Sequence, residues 1–338
     1  MVAPVITALP TAPDIADPAN FATDASVFVA ALAPLQSEIN AFGTYLNLGE
    51  NILGRNLVIN PVMAVAQRAD RAPSGYTVPF YAGPDRWLVA RSGTGTTGFS
   101  RIANTDFGGT YAAQATYTLA STESWNVQQR IESANIAHLA GQEVTLSFYV
   151  SGSSTVGSST MFAALNYANA VDNFSTDTEI ANFSVAYTGT ATQFTFTFTL
   201  PASAVNGVSV VLRGVKTTST GAFTLTFGGV QLEAGPVATI LERRSYGQEL
   251  SSCMRYYEAG QHYRSGAIAT GTSGPETSAF SVTKRAGVTM AITPTALVNF
   301  TGVTLFGFSI SHFTHYPTGG TSGGQGRYAI NWTADGEL

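Results

Sequence analysis

The chain has 338 residues with a formal net charge of -5, and only 11% of them are charged, against about 25% in an ordinary soluble protein. The balance is acidic, with 16 Lys and Arg against 21 Asp and Glu, and Lys216 and Lys284 are the only lysines, so no nucleic-acid partner is expected. A hydrophobic share of 44% excludes a disordered chain, and no apolar run reaches the roughly 18 residues that membrane insertion requires. Ser, Thr, Gly, Asn and Ala replace the missing charge, a mixture that suits β-sandwiches with solvated Ser/Thr faces. Cys253 is the only cysteine, so no intrachain disulfide can form. No Lys or Arg precedes Arg55, so no signal peptide is expected.

Residues 1–19 read as an extended arm, because Pro4, Pro10, Pro13 and Pro18 block regular helix. Asp17 as N-cap and Pro18 at the first helical position then predict a helix start. Phe21, Ala25, Phe28, Leu32, Leu35, Ile39 and Phe42 follow in alternating steps of four and three, a heptad seam. Gly43 is placed to end the helix, and Pro34 predicts a kink or two short helices. Segment 1–54 is therefore expected to be an arm plus an oligomerisation or attachment helix. Its contact residues are Phe21, Phe28, Leu32, Leu35, Ile39 and Phe42; the alternative is an amphipathic helix docked on its own domain.

Period-2 patterns take over from residue 55. Strands are predicted at 56–59, 63–67, 86–91, 110–119, 125–131, 144–150, 161–167, 183–187, 194–200, 209–215 and 222–232. In 193–200 the residues Phe194, Phe196 and Phe198 share one face and threonines the other, as in a strand with one dry and one wet side. Gly/Ser/Thr clusters at 92–98, 151–160 and 217–221 read as loops. So many strands with hardly any helix between them predict a jelly-roll β-sandwich over 55–242. A short helical connector is predicted over 243–252. Strands at 255–259, 279–284, 287–292, 303–311 and 328–334 then make a small β-rich domain, so that 243–338 forms a C-terminal β-sandwich unit. The fold class is mainly β.

Catalytic constellations are sparse. Gly93, Gly95 and Gly98 fit G-x-G-x-x-G, but no helix is predicted to follow, so the run reads as a loop. His312 and His315 are three apart and would face opposite sides of a strand, with no Asp, Glu or Cys nearby in sequence, so no metal is expected. Cys253 reads as a buried small hydrophobe. Asp172, Asp177 and Glu179 cluster in what reads as one loop and could supply a glycosidase pair, though a solvated turn explains them as well. Neither an enzyme nor a cofactor is expected. Trp87 and Trp125 lie in apolar strand patterns and read as core. Tyr263, His312, His315, Tyr316, Tyr328 and Trp332 lie in polar, Gly-rich surroundings near the run 319–326, and are the candidate carbohydrate-binding residues.

Three stretches carry a resemblance. The first is the arm and helix, with Ile6 to Pro10, Asp17 to Phe21 and Phe28. The second is Asn56 to Met63 followed by Asp85, Arg86 and Trp87. The third and most specific runs from Val230 to Gly235 through Ala238, Thr239, Glu242 and Arg243 to Glu249, Leu250 and Cys253 to Tyr257. Together with the ending Trp332 to Leu338 they resemble the tail-fibre and head-spike adhesins of bacteriophages and gene-transfer particles. The resemblance implies a carbohydrate-binding-type jelly roll in a virion appendage at the particle surface, assembled in the bacterial cytoplasm. Its implied partners are host surface polysaccharide and, through the N-terminus, other virion proteins; a homotrimer is expected. The alternatives are a capsular polysaccharide depolymerase and a purely structural virion protein. The signature residues read as structural: Gly228 and Gly229 permit a strand bulge, while Glu242, Arg243 and Glu249 can tie the connector by ion pairs.

Overall fold

One helix, α1 (Phe21–Glu50), precedes everything else. Asp17 accepts its first backbone bond, from the Phe21 N–H at 3.0 Å. Of the two outcomes expected at Pro34, a kink or two short helices, the second is not seen, because Pro34 lies within one helix; that helix also runs past Gly43, where a stop is expected. An interior proline removes one donor and crowds the carbonyl four residues back, at about 3 kcal/mol, and a glycine costs about 1 kcal/mol; neither ends this helix. The computed structural model describes residues 9–50, 54–76, 79–119, 123–154, 159–216, 221–268, 274–285, 287–319 and 324–338.

Strands β1 (Arg71–Ser74), β2 (Phe80–Tyr81), β3 (Leu88–Arg91), β4 (Thr96–Ala103), β5 (Tyr111–Leu119) and β6 (Ser124–Ile131) come first. After the short helix α2 (Ser133–Ile136) follow β7 (Glu143–Ser154), β8 (Ser159–Ala170), β9 (Asn173–Val185), β10 (Thr192–Thr199), β11 (Val208–Lys216) and β12 (Gly221–Ala234). They pair as two six-stranded sheets, β1-β4-β5-β12-β7-β10 and β2-β3-β6-β11-β8-β9. The predicted sandwich is thus present. Trp87, Phe99, Tyr117, Trp125, Phe148, Phe223 and Phe227 fill the space between the sheets, and Trp125 stacks on Phe223 at 4.8 Å. On β10, Phe194, Phe196 and Phe198 do share the core side, with Phe196 stacked on Phe183 at 4.9 Å. Only Phe198 is fully covered, because β10 is an edge strand.

Several elements differ from expectation. Residues 56–59 and 63–67 are not strands, because side chains take several of the backbone donors a ladder would use, among them Val65 N–H to Asn60 Oδ1 at 3.0 Å and Gln67 N–H to Asp85 Oδ1 at 3.0 Å. Ile59 N–H donates to Gln129 Oε1 at 2.7 Å, Asn60 N–H to Glu249 Oε1 at 2.5 Å and Asn56 N–H to Glu242 Oε2 at 2.5 Å. The glycine run 93–98 leads into β4 rather than staying a loop. A Cβ on Gly98 would meet the Pro73 nitrogen at 2.7 Å, so that glycine serves the approach of β1, not of a phosphate. The register of β12 shifts between Gly228 and Gln231, and Gly229 has φ +57: the predicted bulge is there.

The connector folds as α3 (Tyr246–Met254), with Ser245 and Gln248 forming a reciprocal capping box. Beyond it lie β13 (Tyr257–Ile268), β14 (Glu276–Ala279), β15 (Thr289–Val298), β16 (Phe300–Phe308), β17 (His312–Gly319) and β18 (Gly324–Asp335). They form a second, smaller sandwich of two three-stranded sheets, β13-β18-β15 and β14-β17-β16. Its core is Phe280, Val288, Met290, Phe300, Val303, Phe313, Tyr328, Ile330, Trp332 and Ala334. Within the run 319–326, Gly319 ends β17 and Gly324 to Gly326 open β18, while 320–323 lie outside the described residues.

The two sandwiches are riveted by buried charge. Arg86 pairs with Glu337 and lies 3.4 Å from the Tyr256 ring centre. Arg68 reaches Glu337 at 3.2 Å and Asp335 at 3.1 Å. Burial pushes the Glu337 carboxyl above the ordinary carboxylate range, against the pull of Arg86 and Arg68.

Candidate functional site

Alternation fixes which side chains of the second large sheet point away from the core. Trp125, Val127 and Ile131 of β6, Val208, Val210 and Leu212 of β11, and Met161, Ala163 and Leu165 of β8 face inward. Their neighbours therefore form the outer face. The strand register arranges that face in cross-strand rows. One row runs Ala90, Asn126, Arg213, Phe162, Ser184, and the next Leu88, Gln128, Val211, Ala164, Asn182. A third runs Arg130, Ser209, Asn166, Glu179. The face is amide-rich, with one aromatic ring and one guanidinium in its first row.

A depression of about 280 Å³ lies over that row, lined by Ser124, Trp125, Asn126, Phe162, Arg213 and Gly214. Arg213 pairs with Glu179, and Asn182 Nδ2 donates to the other oxygen of that carboxylate at 2.5 Å. Asn126 Oδ1, Asn166 Oδ1 and Ser209 Oγ are buried and have no hydrogen-bond partner among the described residues. Those atoms are turned away from solvent; what the depression presents is the partly exposed Phe162 ring, the Arg213 guanidinium and the Asn126 side chain. A larger cleft of about 560 Å³ lies between residues 54–59 and 134–139. Its polar lining already serves the fold: Arg244 Nη1 donates to Val58 O at 3.1 Å, and Asn56 Nδ2 to Val230 O at 3.0 Å.

The six candidate carbohydrate-binding residues do not make one surface. Tyr263 is 57% exposed on β13. His312 and Tyr316 are half-buried on β17, and the Tyr316 ring meets the exposed Phe306 edge-on at 4.8 Å. His315, Tyr328 and Trp332 are buried inside the small sandwich and present no ring face to solvent. Trp332 packs on Phe313 at 5.2 Å, and His315 Nε2 lies 2.9 Å from the Tyr328 hydroxyl. Their polar, Gly-rich surroundings in sequence belong to strand ends, whereas the residues themselves occupy core-facing positions.

Of the helix residues, Phe21 and Leu32 are exposed, Phe28 and Leu35 are half-buried, and the side chains of Ile39 and Phe42 lie outside the described ones. Asp172, Asp177 and Glu179 do not share a loop. Asp172 accepts from Ser133 N–H at 2.6 Å, while Asp177 and Glu179 lie on β9. Glu242 and Glu249 do tie the connector, but through Arg244, at 3.4 and 3.5 Å. Arg243, the partner expected, instead donates to Gly108 O. Trp87, Trp125 and Cys253 are core, as read from the sequence.

Sequence reasoning missed Asn126, Phe162 and Arg213, which line the depression. The available signal was the polar residue recurring every second position within strands otherwise made of Val, Leu and Ala.

No family model matches the chain, and no curated protein matches it. Solved structures give distant likenesses. The enzymatically active domain of bacteriophage CBA120 tailspike protein 4 is 13% identical, with a TM-score of 0.34 over 54% of this chain and 22% of that one. The match thus spans about a fifth of the tailspike domain's length. A family 11 carbohydrate-binding module of a Clostridium thermocellum cellulase is 10% identical, with a TM-score of 0.32 over 49% of this chain and 98% of its own. A carbohydrate-binding module crystallised with β-1,4-galactotriose is 12% identical, with a TM-score of 0.32 over 54% of this chain and 99% of its own. At these values they are likenesses of outline, and function is read from this chain's own residues.

Proposed function

We propose that this chain is a non-enzymatic carbohydrate-binding protein that attaches a virion to host surface polysaccharide. The observation that carries the binding half is the outer face of the β2-β3-β6-β11-β8-β9 sheet. There, the partly exposed Phe162 ring, the Arg213 guanidinium and the Asn126 side chain line a depression, with the exposed Asn182 and Ser184 beside them. Sugars offer what such a face takes, hydroxyls for amides and C–H surfaces for a ring. The exposed Tyr263 and the Tyr316–Phe306 pair of the small sandwich supply further contacts. The attachment half rests on the resemblance of the sequence to phage and gene-transfer-particle adhesins. It also rests on α1, where Phe21, Val27, Val29 and Leu32 stay exposed for a particle protein or for two further copies of the chain. Many weak sites on one particle would hold a repetitive polymer by avidity.

The test is binding of purified chain to host capsular and lipopolysaccharide glycans, with polymer length followed in parallel. Expected are retention of the polymer, unchanged polymer length, and at least a tenfold loss of single-site affinity in Arg213→Ala or Phe162→Ala. Binding unaffected by both substitutions would move the site away from this sheet, and shortened polymer would make the chain a hydrolase.

A further inference from the structure

Three side chains of the metal-ligand type, far apart in sequence, meet inside the small sandwich. Glu276 on β14 and His315 on β17 are direct cross-strand partners. His262 reaches them from β13, in the opposite sheet. His262 Nε2 lies 3.2 Å from Glu276 Oε2, and His315 Nε2 lies 4.0 Å from the same oxygen. The ligand atoms of all three fall within 4.8 Å of one another. The Tyr328 hydroxyl, from the central strand β18, is 2.5 Å from Glu276 Oε2.

The surroundings orient these atoms. Arg264 pairs with Glu276 Oε1, which leaves Oε2 as the oxygen turned to both imidazoles. Ser278 Oγ lies 3.1 Å from His262 Nδ1, a second hydrogen bond of the kind that fixes a ligand ring and leaves its Nε2 lone pair available. Donors in a tetrahedral zinc site lie about 2.0–2.2 Å from the metal, hence about 3.3 Å from each other. The His262–Glu276 separation of 3.2 Å is close to this, and the His315–Glu276 separation of 4.0 Å exceeds it by under an ångström.

The rest of the domain supplies a reason for such a site. Its apolar core is ten residues, between sheets of three strands, and domains of that size are commonly stapled by a metal or a disulfide. Cys253 is the chain's only cysteine, so no disulfide can serve.

We propose that His262, Glu276 and His315 form a zinc site that clips the two sheets of the small sandwich together, with a water as fourth ligand. Two nitrogens and one carboxylate oxygen are a borderline donor set, suited to Zn²⁺ rather than to Ca²⁺ or Mg²⁺.

The experiment uses the full chain, stripped with a chelator and titrated with Zn²⁺ alone. Expected are one zinc per chain by elemental analysis and a melting temperature that rises on adding zinc. Among the four histidines, the NMR signals of two should shift, while those of His138 and His312 stay put. His262→Gln and Glu276→Gln should each abolish the melting shift. Should either variant fail to fold, the wild-type histidine spectrum and the visible bands of the Co²⁺-substituted chain decide alone. A folded wild type without stoichiometric zinc, or zinc that moves only His138 or His312, would overturn the site and leave a hydrogen-bonded cluster.

Discussion

The larger sandwich fills the space between its sheets with rings and aliphatic side chains. The smaller one places His262, Glu276, His315 and Tyr328 between its sheets, where the larger has Trp87, Trp125 and Phe223. Sheets six strands wide bury enough apolar surface to stand alone, whereas sheets of three strands gain proportionately less. The smaller unit accordingly leans on polar contacts, inside itself and at the junction where Arg68 and Arg86 hold Glu337. Stability in the two regions thus has different chemical sources, and substitutions of two kinds should separate them.

The largest effects fall one on each side. Phe198→Ala should cost about 3–5 kcal/mol, with the same loss at acid and neutral pH, because it deletes apolar contact only. Thr195→Ala, on the opposite face of the strand, should stay within about 0.5 kcal/mol. Arg86→Ala should cost a similar 3–5 kcal/mol, because it leaves Glu337 buried with one cation fewer. Its cost, however, should depend on pH. The folded Glu337 carboxyl titrates above its unfolded value, so this group favours the folded state most at low pH, and the benefit fades as pH rises through the raised value. Denaturant melts from about pH 8 down to about pH 5 should therefore show the Arg86→Ala defect shrinking. A defect constant across that range would mean that packing on Tyr256, not charge, is what Arg86 supplies.

Next in size is the latch between the connector and residues 54–60. Glu249→Ala removes the acceptor of the Asn60 N–H and a partner of Arg244; a loss of about 1–3 kcal/mol is expected. It should appear as faster hydrogen exchange at Asn56 to Asn60, with the small sandwich unchanged. Ser245→Ala, which breaks the α3 capping box, should cost about 1 kcal/mol by the same melts.

How much of this was legible differs between the regions for the same physical reason. A period of two reads directly in strands with one dry face, so the sandwich, the Phe194–Phe198 face and the buried Trp87 and Trp125 were all within reach of the sequence. Residues 56–59 also alternate, but Glu242, Glu249 and Gln129 take their amides from far along the chain, and nothing local marks that. The outer-face rows depend on cross-strand register, as does the meeting of His262 with Glu276 and His315. His312 and His315 do face opposite ways, as three-residue spacing on a strand requires. The partners of His315 come from strands the spacing could not connect.

The smallest expected effect concerns the only thiol, which lies where α3 docks between the two regions. Cys253 is fully buried, and burial pushes its thiol well above the ordinary range, with Asp85 and Glu249 adding to the shift. Thiolate is the reactive form, so both accessibility and ionisation protect the sulfur while the fold is intact. Iodoacetamide should leave the native chain unlabelled even at about pH 9, near the free thiol's ordinary pKa, and label it fully in denaturant. Labelling at intermediate denaturant then reports which region opens first. If it tracks the loss of the small sandwich in wild type and moves to lower denaturant in Arg86→Ala but not in Thr195→Ala, the junction is the weaker seam. Labelling that instead follows the melting of the larger core would show that the two regions unfold as one unit, and that the contrast between them is one of composition without a separate stability.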